Sequence, residues 1–385
     1  MSFLTLKELP VASKRVLMRV DFNVPLDQEG RIADDSRIRA ALPSIQWVLS
    51  QGGSLVLMSH LGRPKGVDPK LSLKPCSDRL SELLGIEVRF VARLEDVGTL
   101  KSGEVVLLEN LRFNPAEEKP EKDPAFAKTL AALGDVYVDD AFGCAHRAHS
   151  SITEVPKYFR EAKGAGFLME REVKFLSELI EHPERPFVAL IGGAKLSTKL
   201  GVLETLAKKC DKVLIGGAMA FTLLKAEGVR IGASLSEEGA PLPKGHFILP
   251  LDFVCEKEGE IRTFSVREGI PDGFKGMDIG PESIKLFKRE IQGARTLFWN
   301  GPMGVFEDER FFAGTREMAK AIRDLSGTTV AGGGDTLAAI KQTNEKCHLA
   351  DRITHLSTGG GASLEFLEFG TLPGIEALRR GSLAF

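Results

Sequence analysis

The chain has 385 residues, of which 43% are hydrophobic and 27% charged, and its formal net charge is −2. This length exceeds what one hydrophobic core usually supports, so two domains are expected. The near-zero charge gives no reason to expect nucleic acid or an anionic membrane as a partner.

Targeting signals and cysteine content indicate the cellular compartment of the protein. No apolar run reaches the length of about 18 residues that a transmembrane helix needs, and the first residues lack the basic start and apolar core of a signal peptide. The five cysteines are widely spread and contain no C-x-x-C pair. We therefore expect a reduced, cytoplasmic protein without a membrane span or a zinc site.

Strand-like apolar runs alternate with helical patterns along nearly the whole chain, which predicts parallel α/β architecture. Several runs are almost continuously apolar, as strands covered by helices on both faces are. The predicted strands cover residues 15–20, 54–58, 105–108, 136–138, 187–191, 212–215, 296–299 and 328–331.

A domain boundary is predicted after Gly166. Apolar residues over 167–181 recur at helical spacing, and prolines at Pro183 and Pro186 end that pattern. We interpret 167–181 as a helical hinge between two Rossmann-like parallel α/β domains, residues 1–166 and 182–370, with an interdomain cleft. The alternative is a helix that lies within one domain.

The residues that follow the strands of the first half are rich in arginine. In open α/β sheets the ligand lies outside the carboxyl ends of the strands. Arg63, Arg112 and Arg147 each follow a different strand, and their convergence predicts a site for a small, multiply charged anion. Arg37 adds a fourth, at a predicted helix start where the helix dipole disfavours a cation. Each arginine alone is compatible with a surface salt bridge.

Histidines accompany this arginine set. His60, His146 and His149 are candidates for general bases, and a structural or ligand-orienting role is an equally open interpretation of each. Metal ligation is not expected, because the spacing of an H-E-x-x-H motif or an equivalent is missing.

The strands of the second half end in glycines instead. The run Gly332-Gly333-Gly334-Asp335-Thr336 lies between an apolar strand and a helical pattern, which is typical of a phosphate cradle with a candidate metal carboxylate. Lys195 and Lys199 are four residues apart and share a face if a helix starts there. Neither the P-loop pattern nor G-x-G-x-x-G occurs.

Together these segments resemble the phosphoglycerate kinase family over the whole chain. The motifs that carry the resemblance are Arg15-Val16-Leu17-Met18-Arg19-Val20-Asp21-Phe22-Asn23-Val24-Pro25, 58–64, 108–113, 139–142 with 146–151, 192–199, 299–307, 332–336 and 357–363. The resemblance implies a monomeric two-domain hinge enzyme. It would bind 3-phosphoglycerate or 1,3-bisphosphoglycerate on the N-terminal domain and Mg-ADP or Mg-ATP on the C-terminal one. Residues 371–385 would return to the N-terminal domain.

The resemblance also implies roles for individual residues. The triose would be bound by Asp21, Asn23, Arg37, His60, Arg63, Arg112 and Arg147. The adenosine would lie among Gly193, Gly217, Gly276, Asn300, Pro302, Val305 and Glu307. Lys199, Gly332, Gly333, Gly334 and Thr336 would bind phosphates, and Asp335 would hold Mg²⁺. The transferred group would meet Arg37, Lys195, Gly359 and Gly360.

The implied reaction is reversible, in-line phosphoryl transfer between 1,3-bisphosphoglycerate and ADP after hinge closure. Both nucleophiles are already ionised at neutral pH, so positioning and charge compensation suffice and no general base is needed. Two alternatives are another phosphotransferase or nucleotide-activating ligase, and a non-catalytic two-lobed nucleotide sensor. The sensor would have no need for the four arginines.

Overall fold

The structure is a computed structural model that describes residues 3–347 and 349–379. Strands and helices of the described residues are numbered in chain order. The strands are β1 Leu4–Thr5, β2 Arg15–Arg19, β3 Ser54–Met58, β4 Val88–Val91, β5 Val105–Leu108, β6 Val136–Asp139, β7 Lys163–Ala165, β8 Phe187–Ile191, β9 Lys212–Ile215, β10 Asp252–Lys257, β11 Glu260–Ser265, β12 Lys275–Ile279, β13 Thr296–Asn300, β14 Thr328–Gly332 and β15 His355–Ser357. The α-helices are α1 Ser36–Ser50, α2 Lys74–Leu84, α3 Pro115–Glu118, α4 Pro124–Ala131, α5 Phe167–Glu181, α6 Leu200–Lys209, α7 Met219–Ala226, α8 Pro281–Ile291, α9 Ala313–Arg323, α10 Gly334–Cys347, α11 Gly361–Phe369 and α12 Pro373–Leu378.

The described chain divides into two compact units. The first contains the described residues up to Lys174 together with those from Thr371 onward, and the second is Phe175–Gly370. The division falls within α5, which covers the same residues as the helix predicted from the sequence. All eight predicted strands are present, with ends that differ by at most one residue.

The first unit is built on a seven-stranded, all-parallel sheet in the order β1-β7-β6-β2-β3-β5-β4. The central strand β2 pairs with β3 on one side and β6 on the other, with Val16 opposite both Leu55 and Val136. Helix α1 contributes Ile38 and Ile45 to the buried core. Because all strands are parallel, the residues after β2, β3, β5 and β6 lie at one edge of the sheet.

A buried carboxylate holds the start of α5. The Asp140 Oδ1 atom accepts hydrogen bonds from the backbone N–H of Leu168 at 2.8 Å and of Met169 at 3.2 Å. A Cβ on Gly166 would lie 2.3 Å from the carboxyl carbon of Asp140, so only glycine fits there. Burial raises the pKa of Asp140 to about 6. The carboxylate thus caps the orphan N–H groups of the helix.

The second unit contains a five-stranded parallel sheet in the order β15-β14-β13-β8-β9. A three-stranded antiparallel sheet, β11-β10-β12, accompanies it and was not predicted. The glycine-rich segments after β8, β9, β13 and β14 lie at the carboxyl edge of the parallel sheet. Within the described ranges, no helix combines the length and the apolar character needed to cross a membrane.

Candidate active site

Arg37 and Asp21 form an ion pair at the carboxyl edge of the first sheet. Arg37 is the second residue of α1, as predicted, and its Nη1 atom donates to Asp21 Oδ2. The Asp21 carboxylate also accepts from the backbone N–H of Asn23 at 3.2 Å. The side chain of Arg37 remains 34% exposed. Asp21 therefore offsets the unfavourable helix dipole while the guanidinium stays accessible to an anion.

The loop around Gly62 is held from two sides. Asn23 Oδ1 accepts from the N–H of Gly62 at 2.9 Å, and Arg112 Nη1 donates to the carbonyl of Gly62 at 2.6 Å. Arg112 Nε also lies 3.0 Å from Glu118 Oε1. The two hydrogen bonds to Gly62 fix the backbone next to Arg63, whose side chain is exposed. Asn23 and Arg112 thus shape the loop that carries Arg63.

Arg19, a fully buried arginine that was not predicted as a site residue, contacts His60, two residues before Gly62. Arg19 donates from Nε to Ser151 Oγ at 2.9 Å and contacts His60 Nδ1 from Nη2 at 3.1 Å. Glu117, also fully buried, accepts from the N–H of Ser151 at 3.0 Å and from its hydroxyl at 2.6 Å. The only sequence signal was the placement of Arg19 at the end of β2, directly after three apolar residues.

His60 is a neutral imidazole in this environment. An arginine side chain can only donate, so His60 Nδ1 accepts from Arg19 and the ring proton resides on Nε2. Burial lowers the pKa of His60 well below its usual value, and the charges of Arg19, Arg112 and Arg37 lower it further. His60 is therefore suited to donate a hydrogen bond to a ligand and not to act as a base.

His146 and His149 are also poor bases. Burial and then the charge of Arg112 lower the pKa of His149 to about 3, and burial followed by Arg147 lowers that of His146. With a pKa of about 3, His149 does not take up a proton near neutral pH. Of the two open interpretations, the structure supports the structural or ligand-orienting role.

Three potential metal ligands lie close together at this edge. The ligand atoms of Asp21, His60 and Cys144 lie within 4.8 Å of one another. However, Arg37 already pairs with Asp21 and Arg19 with His60 Nδ1, while burial raises the pKa of the Cys144 thiol to about 12. Positive charge and a protonated thiol suit an anion at this position better than a cation.

The second unit contains an apolar slot of about 230 Å³ beside its strand ends. Several residues predicted to surround the adenosine line it, together with side chains that the sequence did not indicate. The predicted ones are Gly193, Gly217, Gly276, Pro302, Val305 and Glu307, and the others include Phe221, Leu235, Phe253 and Lys275. Asp335, predicted to hold Mg²⁺, also lines the slot. Apolar walls with a few polar groups at one end are typical of a small-molecule site.

Glycine is required at several strand ends because the backbones touch there. A Cβ on Gly192 would lie 2.0 Å from the carbonyl oxygen of Pro302. Gly217 has φ +66, and its Cβ would lie 2.6 Å from the backbone nitrogen of Gly193. Close packing therefore accounts for both glycines, of which Gly217 was predicted to lie beside the adenosine. Gly334 differs, since its Cβ would have no such neighbour within 4 Å.

The two lysines have different environments. The Lys199 ammonium donates to the carbonyl of Gly192 at 2.9 Å and to Asn300 Oδ1. Burial lowers its pKa to about 8, against the opposing charge of Asp335. Lys195 is exposed. Helix α6 begins only at Leu200, after a 3-10 turn, so the helix start that would place both lysines on one face does not occur at Lys195.

Asn300 and Thr336 bind protein groups beside the slot. Asn300 Nδ2 donates to the carbonyl of Gly332 at 2.7 Å, and Thr336 Oγ1 accepts from the N–H of Gly301 at 2.6 Å. Both side chains are buried. They hold the end of β13 against the start of α10, where the accessible Asp335 carboxylate reaches the slot. Asn300 thus positions Lys199, and it is not among the residues that line the slot.

The glycines before α11 form a tight turn. Gly360 has φ +54, and the N–H of Gly359 donates to Ser357 Oγ at 3.2 Å. Gly359 is buried, whereas Gly360 is partly exposed. The N–H of Gly359, which the resemblance assigned to the transferred group, therefore has a protein partner in this structure.

The profile of the family described as Phosphoglycerate kinase matches residues 6–369. The protein of that name from Nostoc sp. is 49% identical, with 97% of this chain and 98% of the relative aligned. Phosphoglycerate kinase 3, cytosolic, from Arabidopsis thaliana is 49% identical over 97% of each chain. The structure of phosphoglycerate kinase from Coxiella burnetii matches with TM-score 0.85 and 37% identity over 98% of each chain. These matches confirm the resemblance and the predicted α/β fold class.

Proposed function

This chain belongs to the phosphoglycerate kinase family, and we propose that its first unit binds 3-phosphoglycerate while its second unit binds the Mg-nucleotide. Family membership makes it a phosphotransferase of glycolysis that uses the carboxyl group of 3-phosphoglycerate as acceptor. The observation that carries the assignment of substrates is the chemical contrast between the units. One sheet edge carries arginines around a neutral histidine, and the other carries an apolar slot beside two lysines.

The triose belongs with the arginines because it carries a phosphate and a carboxylate. Arg37, Arg63, Arg112 and Arg147 supply forked donors that match these two groups. His60 adds a neutral N–H donor. Asp21 and Asn23 act through their bonds to Arg37 and to the Gly62 loop.

The nucleotide belongs with the slot. The adenine base fits among glycine backbone and apolar side chains, which leaves the phosphates next to Lys199 and the start of α10. Asp335 fits a Mg²⁺ ion, since this cation commonly takes one or two carboxylates together with substrate phosphate oxygens. When bound, Mg²⁺ would neutralise phosphate charge during transfer.

The transfer step needs no proton acceptor from the protein. Arg37 and Lys195 compensate the charge of the transferring phosphoryl group, with backbone N–H groups from Gly360 onward. The substrates belong to different units, so transfer requires closure about the 167–181 hinge, which also excludes water. We infer a monomer with a cytoplasmic location, which agrees with the cytosolic name of the plant relative.

The direct test is a coupled assay of ADP formation from ATP and 3-phosphoglycerate, with and without Mg²⁺. We expect turnover that depends on both. ADP formation that continues without 3-phosphoglycerate would refute the assignment, as would ligand binding without turnover, which the non-catalytic sensor predicts.

A further inference from the structure

Glu237 binds the segment that carries Lys195. It lies between α7 and β10 and is partly buried. Its carboxylate accepts from the backbone N–H of Ser197 at 2.9 Å and from the Ser197 hydroxyl at 2.7 Å. These donors, with further contributions from the N–H of Leu196 and the charge of Lys195, lower the pKa of Glu237. The carboxylate therefore faces three consecutive residues, of which Lys195 is the first.

Glu237 is itself anchored to the nucleotide slot. Its backbone N–H donates to Thr222 Oγ1 of α7 at 3.1 Å, and Thr222 is buried. Three residues earlier, Ser234 Oγ accepts from the N–H of Gly276 at 2.8 Å, and Gly276 lines the slot. Residues 234–237 thus form a strap that is fixed to the slot at one end and to the Lys195 segment at the other.

The Lys195 segment needs such a support because it begins in a glycine turn. Gly193 has φ +120, and Lys195 precedes the 3-10 turn Ser197–Lys199 without belonging to α6. Within the segment, Thr198 Oγ1 donates to the carbonyl of Lys195 at 2.9 Å. The Glu237 carboxylate adds two hydrogen bonds from outside the segment, and Ser197 donates both of them.

We propose that Glu237 is a positioning residue that holds Lys195 in the orientation required for phosphoryl transfer. This inference rests on the proposed function, in which Lys195 follows the transferring group. Glu237 does not touch either substrate; it acts through the backbone of Leu196 and Ser197. Its loss should therefore lower kcat, because a misplacement of about 1 Å can cost up to a hundredfold in rate.

The test compares Glu237→Ala and Glu237→Gln with Glu238→Gln. Glu238 is a suitable control because it is adjacent, 88% exposed and paired with Lys225 by a long ion pair of 3.3 Å. We expect Glu237→Ala to lower kcat about tenfold, with smaller changes in both KM values. Glu237→Gln retains one acceptor oxygen and should be intermediate. Glu238→Gln should stay within about twofold of the wild type, since exposed pairs contribute little.

A double-mutant cycle with Lys195→Ala separates positioning from other roles. If Glu237 acts through Lys195, its replacement should change the single-turnover rate little once Lys195 is absent. A kcat of Glu237→Ala within about twofold of wild type would overturn the inference, as would an equal loss in both backgrounds. If Lys195→Ala alone keeps wild-type turnover, the proposed role of Lys195 is refuted. This result is distinguishable from a failure of the proposed role of Glu237, in which Lys195→Ala loses turnover and Glu237→Ala does not. Thermal unfolding of each variant checks that the fold is retained.

Discussion

Nucleotide affinity should depend on pH through Lys199. The ammonium group of Lys199 is partly buried between Gly192 and Asn300, and burial lowers its pKa from 10.5 to about 8. A cation with a lowered pKa in the folded state destabilises the fold while it is charged. That cost amounts to at most about 3 kcal/mol, is complete below pH 8 and disappears as the pH rises from about 8 to 10.5.

The same titration of Lys199 controls phosphate binding. Loss of the proton at high pH stabilises the fold but weakens the binding of phosphates. The phosphates of the nucleotide bind the charged form of the Lys199 ammonium, and this binding raises the pKa of Lys199 again. At pH 7 the free protein is about nine-tenths protonated at Lys199, and at pH 9.5 only a few per cent is. The dissociation constant of Mg-ADP should therefore rise about thirtyfold between these pH values.

Isothermal titration calorimetry with Mg-ADP between pH 7 and 9.5 measures this change. The terminal phosphate of ADP is already ionised over this range, since phosphate groups of this kind titrate near pH 6. Lys199→Arg is the matched control, because a guanidinium stays charged throughout and the affinity should then vary little. An unchanged dissociation constant in the wild type, or an equal rise in Lys199→Arg, would refute the reasoning.

Four further substitutions separate structural from functional roles. Arg37→Ala should lower kcat by at least about a hundredfold in a steady-state assay while far-UV circular dichroism and Mg-ADP affinity stay near wild type; near-normal turnover would contradict its role. Gly334→Ala should weaken Mg-ADP about tenfold by occupying space at the helix start without loss of stability. Gly333→Ala, at φ +101, should lower stability by about 1–2 kcal/mol. Equal melting temperatures of Gly333→Ala and Gly334→Ala would contradict this difference between the two glycines. Glu117→Gln removes a buried carboxylate charge that, with Asp21 and Asp139, compensates the buried Arg19, and it should cost about 3 kcal/mol in urea unfolding; a loss under about 1 kcal/mol would be inconsistent with that pairing.

The parallel sheets could be predicted because their strands are nearly continuous apolar runs. β3 and β8, for example, are buried at every position and have the bounds that the sequence predicts. β11 could not be predicted in this way, since most of its residues are exposed and its sequence, Glu260–Ser265, is largely polar. Its pairing with β10 depends on a hairpin with charged, solvent-facing side chains, which resembles a loop in composition.

The candidate site was predictable where single residues follow strands, and less so where partners are distant in sequence. Arg37 and Asp21 were both identified, although their ion pair was not. Arg19 and Glu117 are separated by about a hundred residues, and each alone resembles an ordinary charged residue. Glu237 has the same character, because only the fold brings it to Ser197. Gly217 was assigned to ligand binding, since the contact of its backbone with Gly193 cannot be inferred from the sequence.

The proposed division of substrates between the two units can be measured by crossed calorimetry. Arg63→Ala and Asp335→Ala are suitable variants because both side chains are exposed and their removal leaves the buried contacts intact. We predict that Arg63→Ala weakens 3-phosphoglycerate about tenfold and leaves Mg-ADP unchanged, while Asp335→Ala does the reverse. Equal losses of both ligands in either variant, or the opposite pattern, would contradict the assignment.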